Sequence, residues 1–254
     1  IDEKDFRTAS YRPFFKQNLN FYKSLNSAPS IFSRIFPLDS TENLVISMTG
    51  KAGGGDFSVL MTNNIPNFDL VPGNKCYPLW VYQEKSTEET SLFPTLESER
   101  RVLNIESEII SLCKQKYKDD FKDSEDIFFY IYGVLHDKDY RLQFQNDLTK
   151  GVARVPLPDS AKDFKSYVIG GQALSNLHVN YESSEPWPDL TIEYSNDWDP
   201  NNINAYKVQM MKYGKKEKDT DKTTVIYNSQ ITISSIPESA HDYKIGSRSA
   251  IDWI

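Results

Sequence analysis

The pattern of apolar and polar positions is most distinctive at residues 127–135, where Ile, Phe, Phe, Tyr, Ile, Tyr, Gly, Val and Leu follow one another. A helix of this sequence is apolar on every side, so it must be buried. Asp123 stands where it can cap this helix, and Glu125 and Asp126 suit the positive end of the helix dipole. The sequence therefore predicts a buried helix at the centre of the fold. The side chains expected in its core are Phe128, Tyr132 and Leu135.

A second helix is predicted directly after the first, which makes a helical hairpin. Asp137 can cap it, and Tyr140, Phe144 and Leu148 recur four residues apart on one face. Gly151 is placed as a C-terminal stop. The packing of a core hairpin is sufficient to explain this pattern.

A further helix is predicted upstream of the hairpin. Asn104 can cap it, and Ile105, Ile109 and Leu112 would form its inner face. With the hairpin, this makes the middle of the chain, roughly residues 100–165, helical. The polar, acidic residues 84–98 before it are typical of a linker or mobile loop.

The N-terminal part of the chain has the pattern of strands. Residues 43–49 and 57–62 are apolar and β-branched and flank a glycine-rich segment, which predicts a hairpin. Residues 76–82 predict another strand, at a sheet edge because Pro78 lacks an N–H donor. Around Pro13 no helix can form, and an aromatic packing strand is one interpretation of residues 6–25. The stretch Tyr11–Phe14 also resembles one that follows the catalytic domain of amino-group methyltransferases, and this resemblance implies a seam to such a domain.

Strands and turns return in the C-terminal part, from residue 166 onward. Gly170–Gly171 is predicted to be a break, and residues 206–212 and 223–233 to be strands around the lysine-rich loop 214–222. The predicted fold class is α+β, with N-terminal and C-terminal antiparallel β regions around a central buried helical hairpin. Three segments are expected within one compact domain: 1–83, 84–165 and 166–254.

The charge is distributed unevenly along the chain. The net charge is −7, but residues 84–126 alone hold 12 acidic and 7 basic residues. Residues 1–51 hold 7 basic and 5 acidic residues, and residues 206–222 hold six lysines against three acids. Two weakly basic ends are compatible with one DNA-facing side. A solvated run of charge is the commoner explanation of such lysines.

Several kinds of catalytic or metal site lack their motifs. There is no Asn/Asp-Pro-Pro-aromatic tetrapeptide of an amino-group methyltransferase, no glycine-rich cofactor loop and no Walker motif. Cys76 and Cys113 are too far apart for a zinc site, and residues 197–202 lack the Gly and Glu of a calcium loop. Asp-x-Lys triples such as 163–165 leave a nuclease open.

The three histidines of the chain are scattered along the sequence. His136 stands at a predicted helix end, where charge complementarity with the helix dipole explains it. His178 and His241 have no partner spacing that indicates catalysis. A Ser–His–Asp arrangement would depend on a spatial arrangement that the sequence does not show.

Several of these stretches together resemble the C-terminal region of type ISP restriction–modification proteins. The stretches that carry the resemblance are Phe6–Phe14, Asp126–Arg141, Arg154–Pro158, His178–Glu182 and Tyr206–Ile254, the last with its motifs Met211–Lys215 and Tyr227–Ile231. In that family a helicase-like ATPase, an N6-adenine methyltransferase and a target recognition domain share one polypeptide. The resemblance spans nearly the whole chain, and it implies that the chain is a fragment of a cytoplasmic enzyme of this kind.

The resemblance implies a DNA target recognition domain with no catalytic residues of its own and no bound cofactor or metal. The longer enzyme would use S-adenosylmethionine, ATP and Mg²⁺. Double-stranded DNA and the methyltransferase and helicase-like domains would be the partners, and no membrane is involved. The candidate DNA contacts are Arg12, Lys16, Lys51, Lys212, Lys215, Lys216 and Lys218.

Two other functions compete with DNA recognition. The chain could be a protein–protein module that couples the domains of a larger machine, or an autonomous nuclease or hydrolase. A continuous positive concave face would favour DNA, whereas a broad apolar patch would favour docking.

Overall fold

The computed structural model describes residues 6–20, 31–51, 56–83, 100–150 and 153–254. The linker predicted at residues 84–98 and the stop at Gly151 lie outside these ranges. The chain forms two compact units. The first is Ile1–Glu182 with Ile245–Ser247 and Trp253–Ile254, and the second is Ser183–Lys244 with Arg248–Asp252. The three segments expected from the sequence stay a prediction.

Small sheets make up the β part of the first unit. Its strands are β1 (Phe6–Arg12), β2 (Phe15–Asn20), β3 (Val45–Met48), β4 (Val59–Thr62), β5 (Ile65–Pro66), β6 (Lys75–Pro78), β7 (Trp80–Gln83) and β8 (Arg100–Leu103). β1 pairs antiparallel with β2 and parallel with β5. β3 lies between β4 and β6, and β7 pairs with β8.

The predicted N-terminal hairpin is confirmed, whereas the strand predicted at residues 76–82 divides into β6 and β7, which belong to different sheets. β3 and β4 form the antiparallel hairpin, and β6 is an edge strand that ends at Pro78. Around Pro13 the chain turns from β1 into β2, with Phe14 at a φ of 59°. This segment is therefore a strand hairpin, and its role as a domain seam stays a prediction.

Five α-helices follow in the described part of the first unit. They are α1 (Ser107–Tyr117), α2 (Asp126–Val134), α3 (Lys138–Gln143), α4 (Gln145–Leu148) and α5 (Ala161–Val179). Short 3-10 turns lie at Ile31–Arg34, Lys118–Asp120 and Tyr181–Ser183.

The buried central helix, α2, is confirmed. Phe128, Tyr132 and Leu135 are at most 4% exposed and belong to the main hydrophobic core. The carboxylate of Asp123 accepts a hydrogen bond from the N–H of Glu125, so it caps the turn that leads into the helix. An all-round apolar sequence thus has the burial that its composition requires.

The second helix of the predicted hairpin is present but interrupted. Asp137 caps α3 by accepting the N–H of Tyr140 at 2.7 Å. Tyr140 and Leu148 are buried as expected. At Phe144 the backbone leaves helical geometry, so the segment splits into α3 and α4.

The predicted break at Gly170–Gly171 is wrong, because α5 runs through both glycines. Ser160 caps this helix by accepting two backbone N–H groups. A Cβ atom on Gly171 would overlap the carbonyl oxygen of Phe129, and one on Gly133 would overlap that of Tyr167. The glycines at these two crossing points therefore let α2 and α5 approach at close range, which is why they occur inside helices.

The predicted start and inner face of α1 are also wrong. Asn104 does not cap the helix, because its amide donates to a carbonyl oxygen at the end of β6. Ile109 and Leu112 are exposed, whereas Cys113 and Tyr117 are buried. The helix begins later than predicted, so a different face packs on the core.

The second unit contains one larger antiparallel sheet. Its strands are β9 (Thr191–Tyr194), β10 (Lys212–Lys216), β11 (Asp219–Ile226) and β12 (Ile231–Ser234), in the order β10–β11–β12–β9. A 3-10 turn lies at Ile203–Tyr206 and another at Glu238–His241. The last elements of the chain are β13 (Lys244–Ile245), β14 (Arg248–Ser249) and α6 (Ala250–Trp253). The predicted α+β class is confirmed.

The strand predicted at residues 206–212 is wrong except for its last residue. The backbone carbonyls of Ala205 and Lys207 accept hydrogen bonds from the side chain of Asn228 instead of entering a sheet. The turn of the lysine-rich hairpin lies at Glu217–Lys218, and Gly214 lies within β10 at a register shift. An alternating pattern does not distinguish a strand from this extended loop.

Candidate nucleic-acid interface

The β10–β11 hairpin concentrates the exposed lysines of the second unit. Lys212, Lys215, Lys216 and Lys218 are all exposed, and Lys215 and Lys216 pair with Thr220 and Asp219 across the hairpin. Among the described residues, none of these four lysines lies within 4.0 Å of a carboxylate oxygen. Their ammonium groups are therefore positioned to meet phosphate from solvent.

Acidic residues in the same hairpin moderate its charge. Hydrogen bonds from Thr223 and Thr224 lower the pKa of Asp221, and the positive charge of Lys216 lowers it further. Asp219 lies directly across from Lys216. The hairpin is therefore basic overall but not uniformly so.

A partly buried contact fixes the base of this hairpin. The Tyr213 hydroxyl donates to the Asp252 carboxylate at 2.6 Å. This hydrogen bond is the main reason that the pKa of Asp252 lies below its ordinary value, and burial raises the pKa of Tyr213 to about 12. Lys222 lies 3.6 Å from Asp252 and 5.4 Å from the centroid of the Tyr213 ring. Lys222 thus adds its charge to the same contact.

The three candidates of the first unit have different surroundings. Lys16 pairs with Glu182 at 2.7 Å and lies 5.1 Å from the ring of Tyr181. Arg12 is exposed at the end of β1, and Lys51 is exposed after β3. Because its charge is already paired, Lys16 is the weakest of the three for a phosphate contact. All seven candidate contacts stay predictions.

The segment between β9 and β10, residues 195–211, is called the anchored loop below. The side chain of Asn228, in the β11–β12 turn, donates to the carbonyls of Ala205 at 2.9 Å and Lys207 at 3.3 Å. Its oxygen accepts the N–H groups of Gln230 and Ile231, both at 2.8 Å. All four hydrogen-bonding positions of this buried amide are thereby used.

Further contacts hold the anchored loop in place. The Tyr227 hydroxyl donates to the carbonyl of Tyr206 at 3.1 Å, and Gln230 donates to Asp197 at 3.2 Å. The ring of Trp198 packs on Tyr206 within the loop and on Tyr194 at the end of β9. Sequence reasoning missed this loop because its alternating residues predicted a strand.

Large apolar side chains nevertheless project from the anchored loop into solvent. Ile203 is 80% exposed and Met210 is 70% exposed. The polar side chains of Asn201, Asn204 and Gln209 are exposed among them. The loop therefore combines a fixed backbone with a mixed apolar and amide surface.

Two histidines that are far apart in the sequence come together in the first unit. The rings of His136 and His178 lie 5.5 Å apart, and the Tyr132 hydroxyl is hydrogen-bonded to Nδ1 of His178. His136 donates from Nδ1 to the carbonyl of Tyr132 at 2.9 Å. Two of the three histidines are therefore neighbours in the fold, and both are half-buried.

Burial keeps both of these histidines neutral. Desolvation, with the nearby charge of Arg141, lowers the pKa of His136 to about 3 and that of His178 to about 4. The explanation of His136 by a favourable charge at a helix end is therefore wrong. The pair belongs to the packing of α2 against α5.

A cleft of about 550 Å³ lies in the first unit. Arg101 stacks on Trp80 in its wall, with 4.2 Å between the guanidinium carbon and the ring centroid. Asp39, Glu42 and Glu125 also line it, so carboxylates outnumber the cation. This cleft is poorly suited to phosphate.

Among the described residues, no group of three or more His, Cys, Asp or Glu side chains could hold a metal ion.

The comparison with protein families identifies the class of protein. The type ISP C-terminal specificity domain matches residues 1–254, so the chain belongs to this family. None of the curated proteins matches the chain. In the described part of the chain, no helix has the length and apolar character needed to span a membrane.

Several solved structures of protein–DNA complexes are similar to the chain over nearly its whole length. One is a nuclease-deletion mutant of the type ISP enzyme LlaGI in complex with a DNA substrate mimic, with 32% identity and a TM-score of 0.76. Another is the ATP-dependent type ISP enzyme LlaBIII bound to DNA, with 27% identity and a TM-score of 0.81. A cryo-EM structure of a DrdV–DNA complex has 28% identity and a TM-score of 0.81.

The chain matches only a part of each of these proteins. The alignments cover 100%, 100% and 98% of the chain but 17%, 15% and 23% of LlaGI, LlaBIII and DrdV. The similarity thus extends to one region of each larger protein.

Proposed function

We propose that the chain is a DNA target recognition domain that selects the sequence on which a longer restriction–modification enzyme acts. The observation that carries this proposal is the basic β10–β11 hairpin, in a chain that belongs to the type ISP specificity-domain family. Three similar structures are DNA complexes, which supports double-stranded DNA as the partner.

The division of labour follows from general features of DNA recognition. Lysines and arginines contact phosphates and set the register, whereas side chains that reach base edges carry the sequence information. The candidates for phosphate contacts are Arg12, Lys16, Lys51, Lys212, Lys215, Lys216 and Lys218. The methyltransferase of the longer enzyme would then swing the target adenine out of the duplex.

The test uses the purified 254-residue chain and a pool of duplexes with a randomised centre. Repeated rounds of binding at moderate salt should enrich a defined sequence motif, and the enriched duplex should bind far more tightly than its scrambled counterpart. Recovery of a pool that is still random would contradict the proposal. An acidic protein with no target site would produce that result.

The chain itself is proposed to be catalytically silent and to work in the cytoplasm. S-adenosylmethionine, ATP and Mg²⁺ would be bound by the methyltransferase and helicase-like domains of the longer enzyme. Calorimetric titration of the chain with S-adenosylmethionine should give no stoichiometric binding heat. A one-to-one site would overturn this part of the proposal.

Docking on neighbouring domains is a second function, compatible with the first. Leu142 is 74% exposed on α3, and Ile169 lies exposed on α5. We propose that these two side chains contact another domain of the longer enzyme. Changing both to serine should weaken assembly in the longer enzyme and leave the enriched motif unchanged.

A further inference from the structure

The anchored loop is longer than an ordinary connection. It spans residues 195–211, and connections of more than about 12–15 residues are uncommon unless they are functional. It is nevertheless tied to the β11–β12 turn at both ends of its first two thirds, through Ser195 and Asp197 and again through residues 205–207. A long connection that is held in one conformation is suited to recognition, because little conformational freedom has to be given up when a ligand binds.

The hydrogen bonds that hold the anchored loop are concentrated on the backbone of residues 205–207, next to its exposed side chains. Ala205 is buried, and the carbonyls on either side of Tyr206 accept both N–H groups of the Asn228 amide. The Tyr227 hydroxyl binds the carbonyl of Tyr206 itself. Three successive backbone carbonyls are thus held by one turn, while the neighbouring side chains face solvent.

The exposed side chains have the chemistry that base edges require. Asparagine and glutamine amides can bond in bidentate fashion to the N6 and N7 positions of adenine, and apolar groups contact the methyl group of thymine. Asn204 and Gln209 supply amides, as does Asn201, whose Nδ2 also donates to Asp199 at 3.3 Å. Ile203 and Met210 supply apolar surface. Large apolar side chains that are exposed together on a fixed backbone are typical of a binding surface.

The charged side chains of the anchored loop are compatible with a DNA partner. Asp197 and Asp199 accept hydrogen bonds from Ser195 and Asn201 within the loop, so both carboxylates are engaged there. The loop then runs directly into Lys212 at the start of the basic hairpin. The strand proposed to bind phosphate thus continues directly from a loop whose exposed surface is mainly amide and apolar.

We propose that the anchored loop is the base-reading element of this domain, with Asn201, Asn204 and Gln209 contacting base edges in the major groove. This rests on the proposed DNA recognition function and assigns its sequence specificity to one segment. The β10–β11 hairpin sets the position on the backbone, and the loop discriminates among sequences.

The test compares three forms of the 254-residue chain against the randomised duplex pool. The first is the unchanged chain. The second carries Asn201→Ala, Asn204→Ala and Gln209→Ala. The third is a matched control with three amides changed in the first unit, Gln143→Ala, Gln145→Ala and Asn146→Ala. Affinity is then measured for the enriched and scrambled duplexes across a salt series.

The loop variant should lose discrimination between enriched and scrambled duplexes by about tenfold for each base contact removed. Its salt slope should stay the same, because every phosphate contact is retained. Its enriched motif should relax at particular positions, whereas the control should enrich the original motif. Circular dichroism of all three forms establishes that the fold is retained.

Other outcomes would overturn the assignment. An unchanged motif in the loop variant would mean that the exposed loop serves another contact, such as protein docking. An equal loss of affinity for all duplexes, with a smaller salt slope, would mean that the loop binds phosphates. If the unchanged chain enriches no motif, the proposed function itself fails, which is distinct from failure of the loop assignment alone.

Discussion

Gly171 of α5 lies against the backbone carbonyl of Phe129 in α2, so close that a Cβ atom on the glycine would overlap the oxygen. Gly133 of α2 makes the reciprocal approach to the carbonyl of Tyr167. These two glycines therefore set the distance between the helices that form the centre of the first unit. Their neighbour Gly170 faces open space, since nothing beyond the adjacent residues and the helix's own backbone lies within 4 Å of the position of its Cβ.

The two adjacent glycines should respond to substitution in opposite ways. Gly171→Ala forces α2 and α5 apart and should lower the free energy of unfolding by about 1–3 kcal/mol, as overpacking does. Gly170→Ala adds only helix propensity and should raise it by about 0.5–1 kcal/mol. Urea titration monitored by circular dichroism measures both. Equal effects of the two changes would show that the helices do not cross at Gly171.

The central helix provides a second test of the core. Phe128→Ala removes a ring that is 4% exposed and should destabilise the protein by about 3–5 kcal/mol, because the cavity is only partly refilled. Phe68→Ala is the matched control, since Phe68 is largely exposed and its removal should change stability by less than about 0.5 kcal/mol. Thermal melts of the two variants separate these expectations. A melting temperature unchanged by Phe128→Ala would place α2 on the surface.

The sequence predicts the burial of α2 correctly but predicts a break within α5 that the structure does not have. Both outcomes depend on whether a local pattern has one structural explanation or two. A run that is apolar on every side has to be buried, so the pattern alone predicts the position of Phe128. A pair of glycines is ambiguous, because it ends most helices but also permits close helix packing. Only the approach of Phe129 to Gly171 distinguishes the two, and that approach is a tertiary contact.

The anchored loop could not be predicted from the sequence for a related reason. Tyr206, Val208 and Met210 alternate as they would in a strand, yet Asn228 binds the backbone carbonyls that a sheet would need. The side-chain period of an extended loop and that of a strand are the same. The family resemblance identified the kind of domain, whereas the loop and the turn that holds it required the structure.

The neighbouring histidines His136 and His178 predict an unusual dependence of stability on pH. The pKa values of His136 and His178 in the folded protein lie near 3 and 4, below the value of about 6.5 expected when unfolded. The unfolded chain therefore binds more protons between about pH 4 and 6.5. Stability is fully present above that range and falls as the pH decreases, by about 1.4 kcal/mol per pH unit for each histidine.

Urea midpoints between about pH 7 and 5 measure this effect above the range in which most carboxylates titrate. His136→Gln should reduce the steepness of the profile by about half, whatever its effect on stability at neutral pH, because one of the two histidines no longer titrates. A flat profile of the unchanged protein over this range would mean that the histidines are accessible to protons in the folded state.

The lysines of the β10–β11 hairpin give the last prediction. If Lys212, Lys215 and Lys216 contact phosphates, each releases a condensed counterion on binding, so changing all three to glutamine should weaken binding to every duplex alike. The slope of log affinity against log salt concentration should fall by about one unit for each phosphate contact removed. The ratio of affinities for enriched and scrambled duplexes should stay the same, because phosphate contacts carry no base information.

The control is Lys138→Gln, Lys162→Gln and Lys165→Gln, which removes the same charge from positions on α3 and α5. If the hairpin variant has the same salt slope as the unchanged chain, these lysines do not contact phosphates and are ordinary solvated side chains. An equal decrease in the control would mean that total charge, and not the hairpin, determines the salt dependence.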